Sequence, residues 1–346
     1  MKRRSFLRHT LEACLLIAGG IYPWRSAVAN PASVVKNLAF GSCAHQNDPQ
    51  PIWDTIKLCK PDMFLFLGDN VYGDTQNMKH LAGQYKKLAA KPEFASFRSQ
   101  IPLLATWDDH DYGVNDGGAE YPKKRESKKI FLDFFAEPLD SPRRQRDGIY
   151  TSYVFGPKGK QLQLILLDLR WFRSALRLDP FSFPYGPTND PKATILGATQ
   201  WKWLEEELRK PADVRIIASS IQFSSPDHPW EKWANFPNEK KHIIKLIDQL
   251  KLRNLIFVSG DMHFGEISSE KTPGGIDIYD VTSSGLNFSE NGSQFKNRNR
   301  VALYDHGPNF GFIQIDWDAK PIGVSLQVRN AQGKPAVRKD ITVANV

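Results

Sequence analysis

Met63-Phe64-Leu65-Phe66-Leu67-Gly68-Asp69-Asn70-Val71-Tyr72 is the stretch on which the reading of this chain turns. Its first five residues are uninterruptedly apolar and run straight into Gly68-Asp69, as a short strand buried on both faces does. A glycine ahead of the acid lets the backbone turn without a Cβ clash, so one loop directs the Asp69 carboxylate and the Tyr72 phenol to one point. The same pattern recurs along the chain. Val34 to Phe40 runs into Gly41-Ser42-Cys43, Ile101 to Thr106 into Trp107-Asp108-Asp109-His110-Asp111, and Leu162 to Leu167 into Asp168-Leu169-Arg170. Val214 to Ala218 reaches Ser219-Ser220-Ile221-Gln222, and Leu255 to Val258 reaches Ser259-Gly260-Asp261-Met262-His263. Six strands thus deliver polar groups at their carboxyl ends, where the ligands of such sheets collect.

Helical spacing lies between them. Ile52, Ile56 and Cys59 share one face, as do Ile130, Phe131, Phe134 and Phe135, then Trp201, Leu204 and Leu208, then Ile243, Ile244, Ile247 and Leu250. Further strands are expected at Ile276 to Thr282, Phe312 to Asp316 and Ile322 to Val328, more than one doubly wound sheet needs. The expected architecture is α/β, with two packed sheets flanked by helices. The Pro-rich stretch from Leu178 to Thr194 and the segment from Phe288 to Asp305 read as long surface loops that shape an entrance.

The chain has 346 residues, of which 41% are hydrophobic and 24% charged, with a formal net charge of +8, so a disordered polyampholyte and a coiled coil are excluded. Half of that charge belongs to residues 1–29, where Lys2, Arg3, Arg4, Arg8 and Arg25 face Glu12 alone. The remaining +4 is too mild for a dedicated nucleic-acid binder, and the run Lys123, Lys124, Arg125, Lys128, Lys129 reads as a solvated helix face.

Residues 1–29 read as an export signal. A basic start precedes a short apolar run from Ala13 to Tyr22, and Ala27-Val28-Ala29 suits a signal peptidase. Arg3-Arg4-Ser5-Phe6-Leu7 resembles a twin-arginine leader, with Lys2 where Ser or Thr is usual; an ordinary secretory leader or an uncleaved anchor is the alternative. The apolar run is far short of the roughly 20 residues that span a bilayer, so no permanent membrane span is expected. The mature domain then occupies residues 30–346, in the periplasm or outside the cell, with the twin-arginine export machinery as its partner.

Cys43, Asp69, Tyr72, Asp109 and Asp261, with His110 and His263, mix S, O and N donors from separate strand ends, as a dinuclear metal site requires. Five ionised anions together would cost on the order of tens of kcal/mol, and one trivalent with one divalent cation would cancel them. A phenolate, from a group of pKa about 10, and a thiolate are both forms that ferric iron stabilises. Singly, each residue has a plain structural reading: Asp69 as a turn cap, Tyr72 as core, His263 as an interior hydrogen-bonded imidazole. Without the leader, Cys43 and Cys59 remain, and in an oxidising compartment they either form a disulfide or leave Cys43 to bind metal.

At these residues the sequence resembles the alkaline phosphatase D, or PhoD-like, family of metallophosphoesterases. The resemblance runs from Phe40 to about Ser284. Its motifs are Phe40-Gly41-Ser42-Cys43, Leu67-Gly68-Asp69-Asn70-Val71-Tyr72, Trp107 through Asp116, Leu166-Leu167-Asp168-Leu169-Arg170, Leu196-Gly197-Ala198-Thr199-Gln200-Trp201, Ser219 through Gln222 and Ser259-Gly260-Asp261-Met262-His263. It implies a four-layer α/β/β/α sandwich of two mixed sheets holding iron with calcium or another divalent ion. On that resemblance Cys43, Asp69, Tyr72 and His263 surround the iron, Asp69 bridging, and Asp109, Asn115 and Asp261 face the divalent ion. His110 is the expected contact to the transition state or leaving group. Gln222 stands where many members of the superfamily have a ligating His, and Asp261 replaces the first His of Gly-His-x-His. Both changes exchange nitrogen for oxygen and favour a harder ion such as calcium.

The expected chemistry is hydrolysis of phosphate mono- or diesters, with a water acidified by the two cations attacking phosphorus in line. Arg170 is expected to contact the phosphate or the departing group, or to form a structural salt bridge with Asp168 or another acid, and Gln222, Asp168 and His228 are further candidates for metal or substrate contact. Trp107, Trp230 and Trp233 either border the pocket or belong to the core. Two rivals remain: a diesterase specialised for phospholipid or cell-wall polymer, and an exported metal- or phosphate-binding protein without turnover.

Overall fold

The computed structural model describes residues 30–181 and 184–343; the leader of residues 1–29 lies outside them. The apolar runs form strands: β1 Asn37–Gly41, β2 Met63–Leu67, β3 Leu103–Thr106, β4 Thr151–Phe155, β5 Leu162–Leu166, β6 Arg177–Leu178, β7 Tyr185–Gly186, β8 Val214–Ala218, β9 Leu255–Ser259, β10 Gly265–Lys271, β11 Asp277–Ser283, β12 Arg300–Tyr304, β13 Asn309–Asp316, β14 Ile322–Asn330 and β15 Pro335–Val343. The helices are α1 Ile52–Leu58, α2 Met78–Ala89, α3 Pro92–Gln100, α4 Asp109–Tyr112, α5 Lys124–Phe134, α6 Pro142–Gln145, α7 Gly197–Leu208 and α8 Pro237–Gln249.

Six strands, in the order β15-β14-β13-β1-β2-β3, make one sheet, and seven, in the order β12-β10-β11-β9-β8-β5-β4, make the other. Both are mixed: β1, β2 and β3 run parallel, as do β5, β8, β9 and β11, while hairpin-connected strands close each sheet antiparallel. Three apolar clusters correspond to the three interfaces of a four-layer stack. Leu38, Leu65, Leu164, Ile216, Val258 and Leu326 meet between the sheets. Trp53, Phe64, Phe66, Phe97 and Phe131 bind α1, α3 and α5 to the first sheet, and Ile217, Phe257, Leu204 and Ile247 bind α7 and α8 to the second. Strand residues alternate between the inner and outer clusters, which is why these runs show no polar alternation.

The two sheets are tied at the carboxyl ends of their parallel strands. Ser42, just beyond β1, bridges Ser284, just beyond β11. Thr106 Oγ1 donates to the Leu167 carbonyl at 2.7 Å. At the opposite end a cavity of about 560 Å³ opens beside Arg253, Ile276, Pro321 and Val343.

Two expectations about loops need correction. The segment from Phe288 to Asp305 ends in strand β12, and the stretch from Leu178 to Thr194 overlaps a small β6-β7 ladder, because backbone groups there find partners that composition does not announce.

Candidate metal centre

Each strand end turns sharply, and the turns are conformationally costly. Cys43 (φ 60°), Asp69 (φ 47°), Asp261 (φ 71°) and His263 (φ 60°) all occupy the left-handed region that non-glycine residues avoid. Such outliers persist where surrounding structure over-determines them, and they cluster at functional sites. Gly68, at φ 107°, adds a close approach: a Cβ there would lie 2.4 Å from the Asp108 Cβ. This turn therefore needs glycine at that position.

The turns bring the expected donors together. Cys43, Asp69 and His263 present ligand atoms within 4.8 Å of one another; so do Asp69, Asp109 and His110, and so do Asp69, Asp108, Asp109 and Asp261. The Cys43 thiol donates to Asp69 Oδ2 at 3.3 Å, and the Tyr72 hydroxyl lies 3.3 Å from His263 Nε2. Cys43 and Cys59 are both free, so the thiol belongs to this cluster and not to a disulfide. Asn115 lies on the pocket wall with its amide donating to Asp116 Oδ2 at 2.7 Å.

Donor chemistry and unmet acceptors fit cations. Asp69 Oδ1, Asp108 Oδ2 and Asp109 Oδ1 are buried with no hydrogen-bond partner among the described residues. Buried carboxylate oxygens without donors are rare, and bound cations would satisfy a cluster of them. Burial, with the neighbouring thiol and carboxylates, pushes Asp69 well above the usual carboxylate range, and burial with Asp108 and Asp109 does the same to Asp261. Burial raises the Cys43 thiol to about 11. Burial also opposes ionisation of Asp109, but Arg170 and His110 overcome it and hold that carboxyl at about 2. Burial and mutual repulsion thus oppose ionisation of the cluster, and bound cations would favour its ionised form.

His110 stands beside the cluster with Nδ1 2.8 Å from both carboxylate oxygens of Asp74. Burial would lower its pKa, but Asp69, Asp109 and Asp74 raise it to about 10, so it carries a proton at neutral pH. Asp74 escaped the sequence reading. Its only signal was proximity to Asp69, and its φ of 43° marks it as one more strained member of the same loop.

Three expected contacts have other partners, and a fourth, His228, has no hydrogen-bond partner among the described residues. Arg170 is fully buried: its guanidinium donates to Asp108 at 2.6 Å and Glu231 at 2.5 Å and lies 3.9 Å from Asp109, so it balances charge behind the cluster with no face open to substrate. It makes no side-chain pair with Asp168, whose oxygens instead accept from Trp107 Nε1, Ile149 N, Arg170 N and Trp171 N and pin a turn. Gln222 donates to Thr282 and Glu266 within the second sheet. His228 is 3% exposed and lies off the wall of the pocket, with neither ring nitrogen bonded among the described residues. Asp108, hydrogen-bonded to Ser220 at 2.6 Å, and Glu231 were missed because tertiary packing alone joins them to Arg170.

Above the donors lies a cavity of about 210 Å³ walled by Asp109, His110, Asn115, Asp116, Asp261 and His263, with Trp230, Glu290 and Phe295 at its border. Both surface segments border this region: Tyr185 donates to Asp116 at 2.7 Å, and Phe288 packs 4.4 Å from the His263 ring. Trp107 and Trp233, by contrast, are core.

Two mixed sheets between helices, with an acid, imidazole and thiol cluster at the strand ends, define a metallophosphoesterase fold. The model described as "PhoD-like phosphatase" matches residues 38–319, and the chain belongs to that family. It is 24% identical over 265 residues to alkaline phosphatase D of Bacillus subtilis (strain 168), covering 65% of this chain and 45% of that protein, so it spans less than half of that relative. The solved structure of PhoD superposes with a TM-score of 0.73 at 16% identity, over 91% of this chain and 70% of that one. Purple acid phosphatase PPD1 from yellow lupin seeds gives 0.57 at 13% identity, over 93% and 55%. GAP50, the anchor in the inner membrane complex of Plasmodium, gives 0.58 at 12% identity over 90% of each chain. These likenesses define the fold; activity must be argued from the site.

Proposed function

We propose that this chain is an exported phosphoesterase that hydrolyses phosphate mono- or diesters at a dinuclear metal centre. The observation that carries the reading is the set of unpartnered oxygens of Asp69, Asp108 and Asp109, gathered with Asp261 within 4.8 Å and joined through Asp69 to Cys43 and His263. Cys43, Asp69, Tyr72 and His263 form a donor set suited to ferric iron, and Asp69, Asp109, Asn115 and Asp261 offer oxygen alone, which suits calcium or another hard divalent ion. When bound, the cations neutralise phosphate oxygens and acidify water.

The protein's own groups do the rest. Arg170 holds Asp108 and lies 3.9 Å from Asp109, so its charge favours the ionised form of Asp109 without closing the pocket. Asp74 holds His110 by Nδ1, which leaves Nε2 free to donate a proton to the departing oxygen. Glu290, 3.4 Å from His263 Nδ1, orients that imidazole with Nε2 toward Tyr72. The leader of residues 1–29 delivers the protein to the periplasm or beyond.

Elemental analysis and an absorption spectrum of the mature protein test the centre, since ferric phenolate or thiolate is coloured. Turnover of aryl mono- and diesters by wild type and Asp69→Ala tests the reaction. The expected result is metal-dependent hydrolysis that the substitution lowers by at least about 10³-fold. Metal-loaded wild type without turnover would leave a binding protein. Activity surviving in Asp69→Ala would refute the assigned centre.

A further inference from the structure

The basic run on α5 does more than face solvent. Together with α6 it walls a concave pocket of about 180 Å³ formed by Arg125, Lys128, Lys129, Arg144, Arg146 and Trp171, and no carboxylate lines it. Lys124, Arg125 and Lys128 all lie over the indole of Trp171, at 5.1, 5.4 and 5.6 Å. Neighbouring acids neutralise part of this charge from outside the wall: Asp147 pairs with Arg125, and Asp133 with Lys129 and Arg144. Lys128 and Arg146 have no carboxylate in ion-pair contact among the described residues. The Lys128 ammonium, on a residue 8% exposed, donates only to the Arg146 carbonyl among those residues. The Arg146 guanidinium donates to the Tyr150 carbonyl and lies 3.8 Å over the Tyr150 ring, so it lends the pocket charge while Lys128 and Arg125 supply the free donors.

We propose that this pocket is a phosphate-binding site separate from the metal centre. Ammonium and guanidinium donors with unmet hydrogen bonds recognise a phosphate group by charge-assisted contacts. The size suits a small group: the space is about 180 Å³. Drug-sized ligands need at least about 300 Å³. A nucleic acid would instead need a stripe of cations engaging several phosphates. The ligand is therefore free phosphate or a phosphate group on a larger molecule. Trp171 stacks on Trp107 at 6.5 Å, and Trp107 directly precedes Asp108 and Asp109, so the pocket lies behind the metal centre with two tryptophans between.

Calorimetric titration of inorganic phosphate into the metal-loaded protein, at constant ionic strength, tests this. The Arg125→Gln/Lys128→Gln double variant should take up one equivalent fewer than wild type while keeping kcat on an aryl phosphate. Arg125→Gln alone, at a side chain 73% exposed and so harmless to folding, should weaken that equivalent about tenfold. Phosphatidylcholine vesicles carrying phosphatidic acid distinguish the sources: co-sedimentation of wild type and not of the double variant assigns a lipid headgroup, and uptake of inorganic phosphate alone assigns the free ion. Equal stoichiometry in wild type and double variant overturns the proposal. So does duplex DNA that binds wild type but not the double variant, with inorganic phosphate ineffective.

Discussion

Asp74 and His110 show how much one loop decides at the scale of single residues. The carboxylate holds Nδ1 at 2.8 Å and contributes to the raised pKa of the imidazole, about 10. Asp74→Asn should therefore lower kcat about 10–100-fold with little change in KM, and shift the alkaline limb of the rate profile to lower pH, because the imidazolium loses a stabilising anion. A pH–rate series on both proteins checks this, and an unmoved limb would assign Asp74 a purely structural role. The donors that follow strands directly, Cys43, Asp69, Asp109, Asp261 and His263, were legible in the sequence because an apolar run marks where each one emerges. Asp74 and Glu231 were not legible, since loops carry them to the site and no periodicity reports where a loop goes.

At the scale of elements, the apolar strands could be read and the polar ones could not. β10 carries Glu266 and Ser268 fully inside the protein, where Arg300 of β12, Asn297 and Gln222 satisfy them. β15 alternates charged, exposed residues at the border of its sheet, and its pattern alone does not separate it from a loop. Removing one partner of a buried pair leaves the other unsatisfied. Arg300→Met should cost about 3 kcal/mol in denaturant unfolding, and adding Glu266→Gln should recover part of that loss. The segment after β8 offers a pH test. Burial, with Lys232 nearby, holds His228 neutral by lowering it to about 3, whereas the unfolded imidazole takes up a proton below about 6.5. Its contribution is complete above pH 6.5 and falls by up to roughly 1.4 kcal/mol for each unit toward pH 3. His228→Leu should flatten that slope. Asp280, raised by burial to about 6, acts in the opposite direction and stays in both proteins.

At the scale of the whole molecule, the sandwich depends on the cluster between its sheets. Leu164, fully buried there, contacts neither the metal donors nor the surface pocket. Leu164→Ala should cost about 2–5 kcal/mol by thermal or denaturant unfolding and leave kcat of the folded fraction unchanged. A fall in kcat without a fall in stability would show that the core tunes the site. The ties between the sheets are placed unevenly: Ser42 meets Ser284, and Thr106 meets Leu167, both at the end that carries the acid, imidazole and thiol cluster, while the far end is open beside Arg253 and Val343. A sandwich fastened along one margin breathes from the other. Amide protons near Ile276 and Ile341 should exchange with solvent deuterium well before those of Ser42 and Leu167, so transient opening spares the margin that holds the donor cluster until the molecule unfolds as a whole.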